Sequence, residues 1–102
     1  MIIVYITCRN NAEAQKIAKY LLDKKLIACA NILGSKSLYR WKGKLEKQNE
    51  AILLLKTTES KFESVKQTVK KMHSYKVPCI LKLKAEANDE YFSWMKKEVN
   101  EF

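Results

Sequence analysis

Five apolar residues in a row, Ala51-Ile-Leu-Leu-Leu55, follow a strongly charged segment. A run this short and this aliphatic, closed by Lys56-Thr-Thr58, predicts a strand. Side chains alternate along a strand, so Ile52 and Leu54 face one side of a sheet and Leu53 and Leu55 the other. A strand apolar on both faces must be covered on both. A chain of 102 residues supplies one two-layer core and no more. One layer of helices covers one face; an apolar face without helices of its own is best explained by cover from another chain.

The remaining periodicities fit around this strand. Residues 2–8, Ile-Ile-Val-Tyr-Ile-Thr-Cys, predict a first strand. Asn10 caps a helix with Glu13 three residues on, and Ala14, Ile17, Ala18, Leu21 and Leu22 fall in one stripe at helical spacing. A second apolar run, residues 26–33, breaks at Gly34-Ser35 and resumes as an extended segment through Leu38-Tyr-Arg-Trp41. Lys42-Gly43 predicts the hairpin turn back toward Leu55. Each arm is about a dozen residues, against the usual ~5–6. Thr58 or Ser60 opens a second helix with Phe62, Val65, Val69 and Met72 on its stripe, and Pro78 forbids its continuation. Cys79, Leu81, Leu83 and Ala85 alternate with Ile80, Lys82 and Lys84 as a strand. Asn88 then caps a last helix that turns Tyr91, Phe92, Met95 and Val99 inward. The order is β-α-β-β-α-β plus a helix. This is an α+β chain, expected as one ferredoxin-like domain over residues 1–102 with an antiparallel sheet and helices on one face.

Composition excludes several classes. No apolar run approaches the ~20 residues of a membrane span, so a membrane is not an expected partner. The opening Met1-Ile-Ile-Val-Tyr-Ile-Thr7 reads as a strand rather than a signal peptide, and the expected location is cytoplasmic. Cys8, Cys29 and Cys79 are odd in number and form no C-x-x-C pair, which predicts free thiols. The net charge of +9 would suit nucleic acid. Most of it comes from lysines interleaved with core positions, as on a solvated face, so nucleic acid is not the expected partner either. With one histidine and no legible triad or carboxylate pair, no enzyme is expected.

That histidine, His73, lies where the second helical pattern stops, in Met72-His-Ser-Tyr-Lys-Val-Pro-Cys79. Met72 and Cys79 set soft sulfur atoms near it that could share a metal. The alternative is a hydrogen-bonded histidine at the negative end of a helix.

Four segments in this order and spacing resemble the CutA divalent-cation-tolerance family: Lys25-Leu-Ile-Ala-Cys-Ala-Asn-Ile32, the hairpin Ser37–Glu46, Leu55-Lys-Thr-Thr58 and His73-x-Tyr-x-Val-Pro78. The resemblance runs from Ile2 to about Val99. It implies a ferredoxin-like subunit similar in build to PII-type signalling proteins, in a tight homotrimer. It also implies metal binding in the response to copper and other divalent cations, with no reaction attached. In such a trimer the long hairpin projects onto a neighbour, which puts Tyr39, Trp41, Leu45 and Tyr75 at the interface.

Where copper ligands are assigned in that family, they are a first-strand cysteine and two adjacent histidines before the proline turn. This chain keeps the second histidine as His73; Met72 replaces the first, Ile6 replaces the cysteine, and Cys79 replaces the usual glutamate after the proline. Cys8 lies two residues beyond Ile6 on the same strand face. The candidate ligands are therefore His73, Cys79, Cys8 and Met72, a soft set suited to Cu(I), with copper or another divalent cation as the implied metal. Alternatively, His73 and Tyr75 only shape a cleft between subunits. Two further readings stay open. One is a PII-like sensor of a small anion or nucleotide, held by lysines near that cleft. The other is an RNA-binding module on the open sheet and basic surface, although residues 51–56 are aliphatic where stacking aromatics belong.

Overall fold

The doubly apolar strand lies inside the sheet. The computed structural model describes residues 1–101. They form β1 (Ile2–Cys8), α1 (Asn11–Asp23), β2 (Cys29–Trp41), β3 (Lys44–Thr57), a 3-10 turn (Glu59–Lys61), α2 (Phe62–Met72), β4 (Ile80–Lys84) and α3 (Asp89–Glu98). The strand order is β2-β3-β1-β4, with each neighbouring pair antiparallel. This is the ferredoxin-like βαββαβ sandwich, extended by a C-terminal helix. None of the described helices is long and apolar enough to cross a bilayer.

One sheet face packs under α1 and α2. Ile2, Val4, Ile6 and Cys8 of β1 and Ala51, Leu53 and Leu55 of β3 bury themselves against Ala14, Ile17, Leu21, Val65 and Val69. The opposite face carries Ile3, Tyr5, Ile52 and Leu54 at its centre and Leu33, Leu81 and Leu83 toward its edges. The last three are 53%, 49% and 48% exposed, so this second apolar face is covered only in part. α3 closes one end of it, where Met95 and Val99 pack with Ala28, Met1 and Phe92.

Local departures from the sequence reading have physical causes. The break expected at Gly34-Ser35 is absent, because Gly34 pairs with Ala51 and Ser35 with Glu50 in an unbroken ladder. Neither Thr58 nor Ser60 caps α2; both hydroxyls bond to the Glu101 carboxylate, and the 3-10 turn leads into the helix instead. β4 begins at Ile80 rather than Cys79. Lys42 and Gly43 both take positive φ (51° and 78°), as a tight two-residue hairpin turn demands. The 13-residue β2, at ~3.3 Å per residue, sets the 48 Å long axis of a molecule only 25 and 20 Å across the other two.

Candidate metal centre and adjoining cleft

α2 ends at Met72, and His73 turns extended (φ −73°, ψ 140°) while its N–H still bonds the Val69 carbonyl at 2.9 Å. That turn drives the imidazole inward, where its side chain is 0% exposed. The Tyr75 N–H donates to Nδ1 at 3.0 Å, and Nε2 faces the Thr7 carbonyl at 2.8 Å. An amide N–H only donates and a carbonyl only accepts. The ring is therefore held as the tautomer with its proton on Nε2.

Glu13 reaches the same place from the first turn of α1. Asn10 Oδ1 accepts the Glu13 N–H at 2.9 Å, the expected cap. The Glu13 carboxylate does not close the box on Asn10. Its Oε1 accepts the Arg9 N–H and its Oε2 the Ser74 N–H, both at 2.9 Å. Oε1 also lies 4.0 Å from His73 Nε2. Burial pushes this carboxyl upward, but the bonds from Ser74 and Arg9, aided by His73, outweigh it and hold it below its usual value.

Cys8 completes the cluster as the last residue of β1. Its thiol is pushed up to about 12, chiefly by burial and further by the charges of Glu13 and Glu50. Ligand atoms of Cys8, Glu13 and His73 all lie within 4.8 Å of one another. Thiolate, imidazole and carboxylate together suit zinc or copper. Ligand bonds of ~2.0–2.3 Å require these side chains to draw slightly closer. The residues fit such an ion.

The four candidate ligands thus separate. Cys8 and His73 come together; Cys79 lies outside the cluster, half-buried against a cleft on the other sheet face. Met72 packs into the core beside α1. Glu13 joins as a ligand atom that the sequence showed only as a capping residue.

The cleft, about 770 Å³, lies between the hairpin and residues 74–79. Tyr5 and Thr7 of β1, Tyr39 and Trp41 of β2, and Glu46 and Glu50 of β3 line it, together with Tyr75. Glu50 is 7% exposed and accepts a hydrogen bond from the Tyr75 hydroxyl. Burial, and then Glu50 itself, push the Tyr75 phenol above its ordinary range. Of the four expected interface residues, Tyr39, Trp41 and Tyr75 surround this cleft; Leu45, paired with Arg40, projects from the hairpin's other face. Glu50 escaped the sequence reading. Its signal was an acidic residue abutting the run Ala51–Leu55 and in phase with Ile52 and Leu54.

Residues 2–98 match the family described as CutA1 divalent ion tolerance protein. The divalent-cation tolerance protein CutA of Archaeoglobus fulgidus is 43% identical over 97 residues, which cover 94% of this chain and 95% of that one. A solved structure described as the periplasmic divalent cation tolerance protein CutA from the same organism superposes with a TM-score of 0.94 at 42% identity, covering 97% and 99% of the two chains. A PII-like protein CutA from Nostoc superposes at 0.91 with 25% identity over the full length of both. These likenesses correct the cytoplasmic expectation. One neighbour is described as periplasmic, and an Arabidopsis thaliana relative, 36% identical over 93% of this chain and 53% of its own length, as chloroplastic. Relatives are thus described from more than one compartment, and a cytoplasmic location does not follow from composition.

Proposed function

This chain belongs to the CutA1 divalent ion tolerance family, and from that premise we propose a homotrimer that binds metal ions in the response to them, without catalysing a reaction. The convergence of Cys8, Glu13 and His73 carries the metal reading. A bound ion supplies a cross-link between the end of β1, the start of α1 and the turn after α2. Cys8 gives a thiolate, His73 gives Nε2 and Glu13 a carboxylate oxygen, a donor set that favours copper or zinc over hard cations. Equilibrium dialysis against Zn(II) and Cu(I) tests it. Uptake of one ion per chain is expected, weakened at least tenfold in both Cys8→Ser and His73→Gln. Unchanged affinity in both variants removes the site.

The half-covered sheet face and the projecting hairpin support the trimer. Trp41 is 50% exposed in the isolated chain. Burying the remaining half of an indole of ~150–250 Å² contributes roughly 2–3 kcal/mol per site. Sedimentation equilibrium should give three times the chain mass, reduced by Trp41→Ala. A stable single copy at micromolar concentration overturns it. For the anion-sensor alternative, the cleft holds Lys36 and Lys76, but Glu46 and Glu50 offset them. Thermal shift with nucleotides separates the two readings.

A further inference from the structure

We propose that Tyr75 relays ion occupancy of the Cys8–Glu13–His73 cluster to the cleft on the opposite face of the sheet, through its hydrogen bond to Glu50. The proposal rests on the metal reading above and adds its consequence for the rest of the molecule.

Residues 74 and 75 hang from the cluster by two bonds. The Ser74 N–H donates to Glu13 Oε2, and the Tyr75 N–H donates to His73 Nδ1. Both acceptors belong to cluster residues. His73 can offer Nε2 to an ion only by giving up the proton that now faces the Thr7 carbonyl. A neutral imidazole keeps one ring proton, so that proton passes to Nδ1. Nδ1–H then faces the Tyr75 N–H across 3.0 Å, donor against donor, and that bond cannot persist. Glu13 meets His73 Nε2 through Oε1 and holds Ser74 through Oε2, so the turn keeps its Glu13 anchor on a carboxylate the ion also engages while its His73 anchor is lost.

Beyond the turn, the Tyr75 ring stacks at a tilt on His73, with centroids 4.9 Å apart, and its hydroxyl ends on Glu50. When the backbone of residues 74–75 moves, the phenol moves with it and Glu50 loses its donor. A carboxylate that was 7% exposed then turns to the cleft, beside Thr7 and Tyr5. Tyr75 is a positioning residue here. It touches no ion and acts through His73 on one side and Glu50 on the other.

The test is 19F NMR of protein labelled with 3-fluorotyrosine, titrated with Zn(II) while uptake is counted independently by chelator competition. Tyr75→Phe identifies the Tyr75 resonance. It is expected to move in step with filling of the site, while Tyr20, outside the cleft, stays fixed. In Glu50→Leu, which leaves the Tyr75 hydroxyl without its acceptor, the ion-dependent displacement of the Tyr75 resonance, compared at equal filling of the site, is expected to be at least halved. Zn(II) taken up with the Tyr75 resonance fixed overturns the relay and leaves the metal reading standing. Tyr20 moving as far as Tyr75 also overturns it, as a general rearrangement. No uptake at all removes the metal reading and the relay with it.

Discussion

Cys8 and His73 are held in forms that resist ordinary surface chemistry. A thiol pushed up to about 12 carries almost no thiolate at neutral pH, and this one lies in the core. A thiol reagent at pH 8 should therefore label Cys29 and Cys79, both half-buried, and leave Cys8 untouched until the chain is unfolded in denaturant. Peptide mapping by mass spectrometry reads this directly. The same shift gives ion uptake a sign. Cys8 must lose its proton to act as a ligand, so apparent affinity should rise about tenfold per pH unit across the neutral range, with about one proton released per ion. Calorimetry in two buffers of different ionisation heat measures that number. His73 was legible as the only histidine, beside a proline turn. Its partners were not, because Thr7 and Glu13 lie some sixty residues earlier and only the packing of α1 and α2 on one face of the sheet brings them near.

At the scale of elements, the first turn of α1 joins the helix cap to the cluster. Glu13 is held below its usual carboxylate value, so the native state binds its proton more weakly than the unfolded chain does. Its contribution is fully present above the unfolded value and is lost as pH falls through the native one. Glu13→Gln should lower stability at pH 7 by about 1–2 kcal/mol and flatten the acid limb of a urea-midpoint curve against pH. The hairpin turn allows a test of opposite sign. Lys42 holds φ 51°, a region asparagine tolerates better, so Lys42→Asn should stabilise by a few tenths of a kcal/mol; Gly43→Ala at φ 78° should cost about 1–2 kcal/mol. Thermal melts of the pair read both. This turn was plain from Lys42-Gly43, because its chemistry is local. The supposed break at Gly34-Ser35 misled, since pairing with Ala51 and Glu50 overrides the low strand propensity of glycine. Thr58 does precede the helical run, but as the head of a 3-10 turn and without a capping bond, because its hydroxyl is spent on Glu101, 43 residues away.

For the whole molecule, the deciding quantity is the apolar surface that α3 leaves open. The alternation in β3 already required a second cover, and the structure leaves Leu33, Leu81 and Leu83 about half bare on that face. What covers them was not legible, since one sequence encodes its own face but not the approach of a neighbour. If sibling chains provide the cover, a charge at Leu81 is stranded in an apolar seam while costing a lone subunit almost nothing, because Leu81 is 49% exposed there. Leu81→Asp should therefore dissociate the assembly at micromolar concentration and leave the circular dichroism of the subunit intact. Leu22→Asp, at a comparably bare leucine of α1 (41% exposed), sets the specificity of that loss, since α1 packs on the covered face of the sheet and neither the hairpin nor the open face is changed. Sedimentation of the two variants at matched concentration separates a seam at Leu81 from a general loss of solubility. A Leu81→Asp variant that keeps the mass of the parent would mean the open face is not where subunits meet. The +9 charge sharpens the comparison, since like-charged copies repel and need a buried seam to hold together at low salt.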